Sequence, residues 1–173
     1  MLGPNEMREV WKYLSEGGAL VSREETTDGG YRLSMSKYNP LINPQGSLRI
    51  AALLADEARS LDPSVAVAWE DLGDAVMAFA VGAELGIPAV RAFDMEGLVQ
   101  HGGTLPATPR GILVIDAVRG AKAIDALSAL LAQVGGTLAG ALSLVDIGGA
   151  IADVPVKSLV SAPESPVAEH SGA

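Results

Sequence analysis

Three stretches of this chain are apolar at nearly every position rather than at every second one: Val65-Ala66-Val67-Ala68-Trp69, Ile112-Leu113-Val114-Ile115, and Leu138 to Val145. A strand with one wet face alternates, whereas a strand covered on both faces reads as a continuous apolar run. Between these runs lie helical spacings. Leu48, Ala51, Leu54, Ala55, Ala58 and Leu61 recur until Asp62-Pro63; Ala75 to Leu85 is a small-residue helix closed by Gly86; Lys122 to Val134 is a third helix. With Ile87 to Val90 as a further strand, the order predicts an α/β fold whose parallel sheet is flanked by helices. A long irregular stretch is expected from Phe93 to Pro109. The uncharged run between Asp125 and Asp146 is long enough to span a bilayer, but Gln133, Gly135-Gly136 and Thr137 interrupt it. It is read as helix, turn and strand.

The N-terminal part follows a different rhythm. Met7, Val10, Trp11 and Leu14 have helical spacing, with Asn5 as the expected N-cap. After Gly17-Gly18, Ala19-Leu20-Val21 and the strictly alternating Tyr31 to Ser36 read as two strands of a hairpin. The expected organisation is a single domain over 1–155, with a small N-terminal hood (1–45) and a core (46–155), followed by a mobile tail (156–173). The two tryptophans, Trp11 and Trp69, lie in apolar runs and are read as packing residues.

Charge narrows the partners. Lys and Arg total 12 against 21 Asp and Glu, a formal charge of −9, so nucleic-acid phosphates and anionic membranes are repelled overall. The absence of cysteine removes disulfides, thiolate metal sites and cysteine nucleophiles. Nothing near Met1 has the apolar region of a signal peptide, and a cytoplasmic protein is the expectation.

In a parallel sheet, ligands bind beyond the carboxyl ends of the strands. The strongest candidate there is Asp116-Ala117-Val118-Arg119-Gly120-Ala121-Lys122-Ala123. A helix start offers free N–H groups to an anion, Arg119 and Lys122 add two cations, and Asp116 can accept from sugar hydroxyls or hold a hydrated magnesium. The alternative is that Arg119 and Lys122 merely pair with Asp116 and Asp125 on the surface. Glu70, Asp71, Asp74 and Arg91 form a second candidate group at the cleft. Those three acids could take a divalent cation, but the favoured reading is a hydrated turn in which Asp74 caps the helix beginning at Ala75. His101, in Gln100-His101-Gly102-Gly103, is read as a solvated loop residue.

Taken in order, Glu16-Gly17-Gly18-Ala19-Leu20 with its hairpin, the Val65 strand, the Ala75 helix, Gly86-Ile87-Pro88, Ile112 to Asp116 and the closing Val145-Asp146 resemble the type I phosphoribosyltransferases, most nearly the orotate enzymes. The resemblance spans roughly Tyr13 to Gly149. It implies a parallel-sheet core under a hood, a homodimer, and transfer of ribose 5-phosphate from phosphoribosyl pyrophosphate to a base nitrogen with magnesium.

The sequence departs from that family pattern at three places. The family's sugar-phosphate motif has two adjacent acids and then a threonine-and-glycine loop; here Asp116 is followed by Ala117, and the later positions are Gly120, Ala121, Lys122 and Ala123. Its glycine-rich pyrophosphate turn is replaced by Glu70, Asp71 and Asp74. A carboxylate about 6 Å from one phosphate charge costs on the order of 3 kcal/mol at an effective dielectric of about 20. Its lysine-rich closing loop has no counterpart, because Phe93 to Pro109 contains no Lys or Arg. The leading expectation is a divergent, non-transferring relative that binds a phosphorylated metabolite or nucleotide at 116–123. An active transferase with altered substrate or metal use, and an interaction protein with an acidic cleft, stand as alternatives.

Overall fold

The computed structural model describes residues 2–25, 27, 31–148 and 153–162. Helix α1 (Pro4–Glu16) leads into the hairpin β1 (Val21–Glu25) and β2 (Tyr31–Met35), paired antiparallel with Val21 opposite Met35. Gly3, not Asn5, is the N-cap of α1. Pro4 fits the first helical position because it lacks a donor that would be orphaned there, and the Glu6 carboxylate accepts the Gly3 N–H at 3.0 Å.

Helix α2 (Pro44–Ala58) is capped by the Asn43 side chain, which accepts from Gly46 N. Then come β3 (Val65–Trp69), α3 (Leu72–Leu85), β4 (Ala89–Met95), β5 (Leu98–Gly102), β6 (Arg110–Ala117), α4 (Lys122–Gln133), β7 (Thr137–Asp146) and β8 (Val156–Ser161). The main sheet runs β5-β4-β3-β6-β7-β8, with only β5 antiparallel to its neighbour.

The continuous apolar runs are explained by the two faces. Ala66 and Ala68 of β3, with Ile112 and Val114 of β6, pack toward α2 and α3, where alanine lets the helices approach closely. Val65, Val67 and Trp69, with Leu113 and Ile115, point the other way and meet Leu127 and Leu131 of α4. Each large side chain buried in these layers contributes about 1.5–3 kcal/mol. Among the described residues no helix is long and apolar enough to cross a membrane.

Two expectations of irregular chain are corrected. The segment from Phe93 onward continues β4 and turns back as β5, through Glu96 (φ +55°) and Gly97 (φ +85°). Paired positive φ values make the tight hairpin turn whose twist suits the strands, and Glu-Gly is not among its strong signals. Residues 156–161, expected to lie in a mobile tail, instead form β8, which pairs parallel with β7. The remainder of that segment, 163–173, lies outside the described residues, as does most of the turn through Thr26 to Gly30.

The hood is fastened to the core at the chain between β2 and α2. Asn39 N donates to Gly17 O at 2.8 Å, and the Tyr38 hydroxyl lies 2.6 Å from Ser47 Oγ. Gly17 is required there: a Cβ would fall 2.1 Å from the Tyr38 ring.

Candidate functional site

The carboxyl ends of β3 and β6 converge on a buried ionic cluster. The β6 run carries Asp116 to the strand end, where only 2% of the residue is exposed. A buried carboxylate needs partners, and this one has them. Arg119 Nη1 is 2.5 Å from Oδ1, Arg119 Nη2 is 3.2 Å from Oδ2, Ala117 N donates to Oδ1 at 2.7 Å, and Tyr38 N donates to Oδ2 at 3.3 Å. Two contacts to one carboxylate give Arg119 the forked geometry that fixes both groups. Arg119 Nη2 also donates to Met35 O, so the guanidinium ties the end of β2 to the end of β6. Hydrogen bonding to Asp116 holds the Arg119 pKa above its ordinary value, against the opposing effect of burial.

The second acid comes from α3. Asp71 is the N-cap of that helix, accepting from Gly73 N at 2.7 Å, which corrects the expectation that Asp74 does this. Asp74 lies in the first turn instead, 3% exposed, and its Oδ1 accepts the Asp116 N–H at 3.0 Å. Its Oδ2 is buried without a hydrogen-bond partner. Burial first, and the negative charge of Asp116 second, push its pKa up to about 7.

Lys37, from the hood, stands over all three acids. Its ammonium is 3.6 Å from Asp116 Oδ1, 3.8 Å from Asp74 Oδ2 and 3.9 Å from Asp71 Oδ2. These are ion pairs beyond hydrogen-bond length. The sequence reading missed Lys37 and Tyr38. Nothing in Ser36-Lys37-Tyr38-Asn39 announces a partner as far along the chain as Asp116, and only the folded hood brings them together.

The remaining candidates divide between the two sides of this cluster. Glu70 occupies a positive φ of +56°, with Asp71 N donating to Trp69 O at 2.6 Å across it. Such a three-residue turn is strained for a residue with a Cβ. Its carbonyl accepts from Arg91 Nε at 2.9 Å, and Arg91 also lies over the Phe93 ring. Arg91 is therefore bound to the turn it was expected to face.

On the other side, Ala117 and Val118 are buried, while Gly120 (φ +148°) has open space where a Cβ would stand. Ala121 and Lys122 begin α4, with Ala123 in its first turn, and no side chain caps the helix start. Lys122 reaches Asp94 at 3.9 Å rather than Asp125. His101 is on β5, not in a loop, and its Nδ1 is buried without a partner.

A magnesium site does not fit these residues. Both oxygens of Asp116 are already engaged by Arg119, and among the described residues no three His, Asp or Glu side chains converge as metal donors.

A hood over the carboxyl end of a mostly parallel sheet, with a helix start after its central strand, decides the fold. The chain has the type I phosphoribosyltransferase fold. No family model matches the sequence, and no curated protein matches it. Solved structures do. Orotate phosphoribosyltransferase from Aeropyrum pernix superposes with a TM-score of 0.69 at 20% identity, over 89% of this chain and 94% of that one. The Mycobacterium tuberculosis orotate phosphoribosyltransferase in complex with Fe(III) dicitrate gives 0.66 at 17% identity, over 92% and 98%. Adenine phosphoribosyltransferase from Trypanosoma brucei, in complex with AMP, pyrophosphate and ribose-5-phosphate, gives 0.63 at 14%, over 100% and 90%. The phosphoribosyltransferase fold thus extends across nearly the whole chain, hood included.

Proposed function

We propose that this protein uses the phosphoribosyltransferase fold without ordinary transfer from phosphoribosyl pyrophosphate, and binds a phosphorylated metabolite or nucleotide at 116–123. One observation carries the first half. The Asp116 carboxylate, the group that would accept ribose hydroxyls or a hydrated cation, is held by Arg119, Tyr38 N and Ala117 N, with Lys37 beside it. Displacing Arg119 would leave a buried charge short of its main counter-ion, a cost on the order of 2 kcal/mol, less than for a fully buried pair because Arg119 is partly exposed and Lys37 remains.

Phosphate binding is supported by what stays open. The first turn of α4 has N–H groups with no intrahelical acceptor and no side-chain cap, the Gly120 backbone is unshielded, and the Lys122 side chain is exposed. The Lys122–Asp94 pair is a loose surface contact that an anion can replace. Arg119 was expected to share this task, but its place on Asp116 leaves Lys122 as the cation for the ligand.

Two measurements test the reading. Incubation with phosphoribosyl pyrophosphate, magnesium and a panel of bases is expected to give no product; turnover abolished by Asp116→Asn overturns it. Titration with ribose 5-phosphate is expected to show saturable binding that is lost in Lys122→Glu. Silence at millimolar ligand removes the phosphate site.

A further inference from the structure

Three carboxylates share two cations at the end of the sheet, and they share them unevenly. Arg119 forks onto Asp116, which leaves Asp71 and Asp74 with the Lys37 ammonium alone, at 3.9 and 3.8 Å. Asp71 is partly exposed and uses Oδ1 to cap α3. Asp74 has neither outlet: it is buried, and its Oδ2 meets no donor. The charged groups that face it are Lys37 from the hood, Asp71 at the start of its own helix, and Asp116 with Arg119 from the end of β6.

The chain joining β2 to α2 lies directly on this turn. A Cβ on Gly73, next to Asp74, would fall 2.9 Å from Tyr38 O and 3.3 Å from Pro40 Cδ. Tyr38 is itself buried and donates its N–H to Asp116 Oδ2. One segment, 37–40, thus both shields the acid from water and carries its nearest cation.

We infer that the hood is a pH-dependent cover: ionisation of Asp74 lifts segment 37–40 from the sheet end, and protonation lets it close.

A carboxyl group without a donor is tolerated in a dry site as the neutral acid and resisted there as the anion. Burial is accordingly the largest cause of the raised Asp74 pKa, with Asp116 next, and Lys37 offsets only part of it, leaving the value at about 7. The attraction of Lys37 works against lifting, but a pair at 3.8 Å whose lysine is half exposed is weak beside the cost of burying a lone charge. Once the segment lifts, water reaches Asp74 and it titrates near ~3.9. Between these two values the closed hood holds a proton that the open hood has released. Opening therefore grows with rising pH across the window, by up to about tenfold per pH unit, and levels off above it.

The consequence is access. Lifting takes Tyr38 N from Asp116 and removes one wall of the hollow of about 280 Å³ that Lys37, Tyr38 and Asn39 form with Asp71 and Leu72. The strand end is covered in mild acid and reached more readily above about pH 7.

Native-state hydrogen exchange on the full chain, corrected for the intrinsic pH dependence of exchange, tests this without any ligand, so its outcome is separate from that of the phosphate titration. The amides of Tyr38 and Asn39, bonded to Asp116 and Gly17, report the cover; those of Leu113 and Leu142, inside the sheet, report global unfolding. The cover amides are expected to open more readily than the sheet amides at every pH, and their opening to rise at least about tenfold between about pH 5 and about pH 7. Asp74→Asn, which keeps an oxygen for Asp116 N, is expected to flatten that rise. Lys37→Met, at an exposed position, is expected to keep the rise and carry its upper end to higher pH, because Lys37 holds the Asp74 pKa down. Circular dichroism checks that each variant folds. Cover amides that open only with the sheet, a cover opening indifferent to pH, a rise that survives Asp74→Asn, or an upper end that Lys37→Met leaves in place overturns the inference.

Discussion

The Asp74 carboxylate accepts the backbone N–H of Asp116 at 3.0 Å, joining the first turn of α3 to the end of β6. One acid is thus held against another, and only one of them has an arginine. Asp116 is paired with Arg119; Asp74, with a buried Oδ2 and no hydrogen bond to it, has its pKa raised to about 7.

That asymmetry predicts a pH dependence. Unfolded, Asp74 titrates near ~3.9. Between that value and about 7 the folded state holds a proton that the unfolded state has released, so stability falls as pH rises through this window. Above it the penalty is complete, on the order of 4 kcal/mol. Asp74→Asn keeps an oxygen for Asp116 N and carries no charge. Urea unfolding should show the variant more stable than wild type at about pH 8, the gap narrowing toward about pH 4.

Arg119→Ala removes the fork from Asp116 and the tie to Met35 O. A loss of on the order of 2 kcal/mol is expected, below the ~3–5 of a fully buried pair because Arg119 is partly exposed and Lys37 remains. Chemical denaturation measures it. Hydrogen exchange should quicken first at Leu20 and Ser36, whose amides hold the base of the hood.

Gly17→Ala places a methyl 2.1 Å from the Tyr38 ring. The ring is pinned by Ser47 and cannot swing away cheaply. A cost of about 1–3 kcal/mol is expected, with the Tyr38 hydroxyl pulled off Ser47 Oγ. A lowered unfolding midpoint, without change in the slope against denaturant, is the signature.

Lys122→Glu separates ligand binding from stability. The side chain is exposed and its pairing with Asp94 is loose, so unfolding should shift by less than about 0.5 kcal/mol. Ribose 5-phosphate binding, if it is centred on α4, should vanish in calorimetry. Arg119→Ala should reduce both.

How much of this was written in the residues themselves follows from the range of each signal. Apolar runs such as Val65–Trp69 and Ile112–Ile115 declare a strand buried on both faces because every position is subject to the same demand, and the alternation of Tyr31–Met35 declares a half-exposed one. Order along the chain then set the sheet, the hood and the candidate strand ends. The β4–β5 turn and β8 escaped because their sequences carry weak signals, and they form through pairing with strands already in place.

The site was legible only as a set of names. Asp116, Arg119, Asp71 and Asp74 were all in view, but their roles depend on which charges meet after folding. Lys37 was not in view at all. An ion pair is decided by distance in space and by how much water is excluded around it, and neither is a property of neighbours in sequence. Local pattern therefore determined the layers of this protein. Which acid is paired with an arginine and which is buried without a hydrogen-bond partner were decided by how the hood and the first turn of α3 pack against the end of β6.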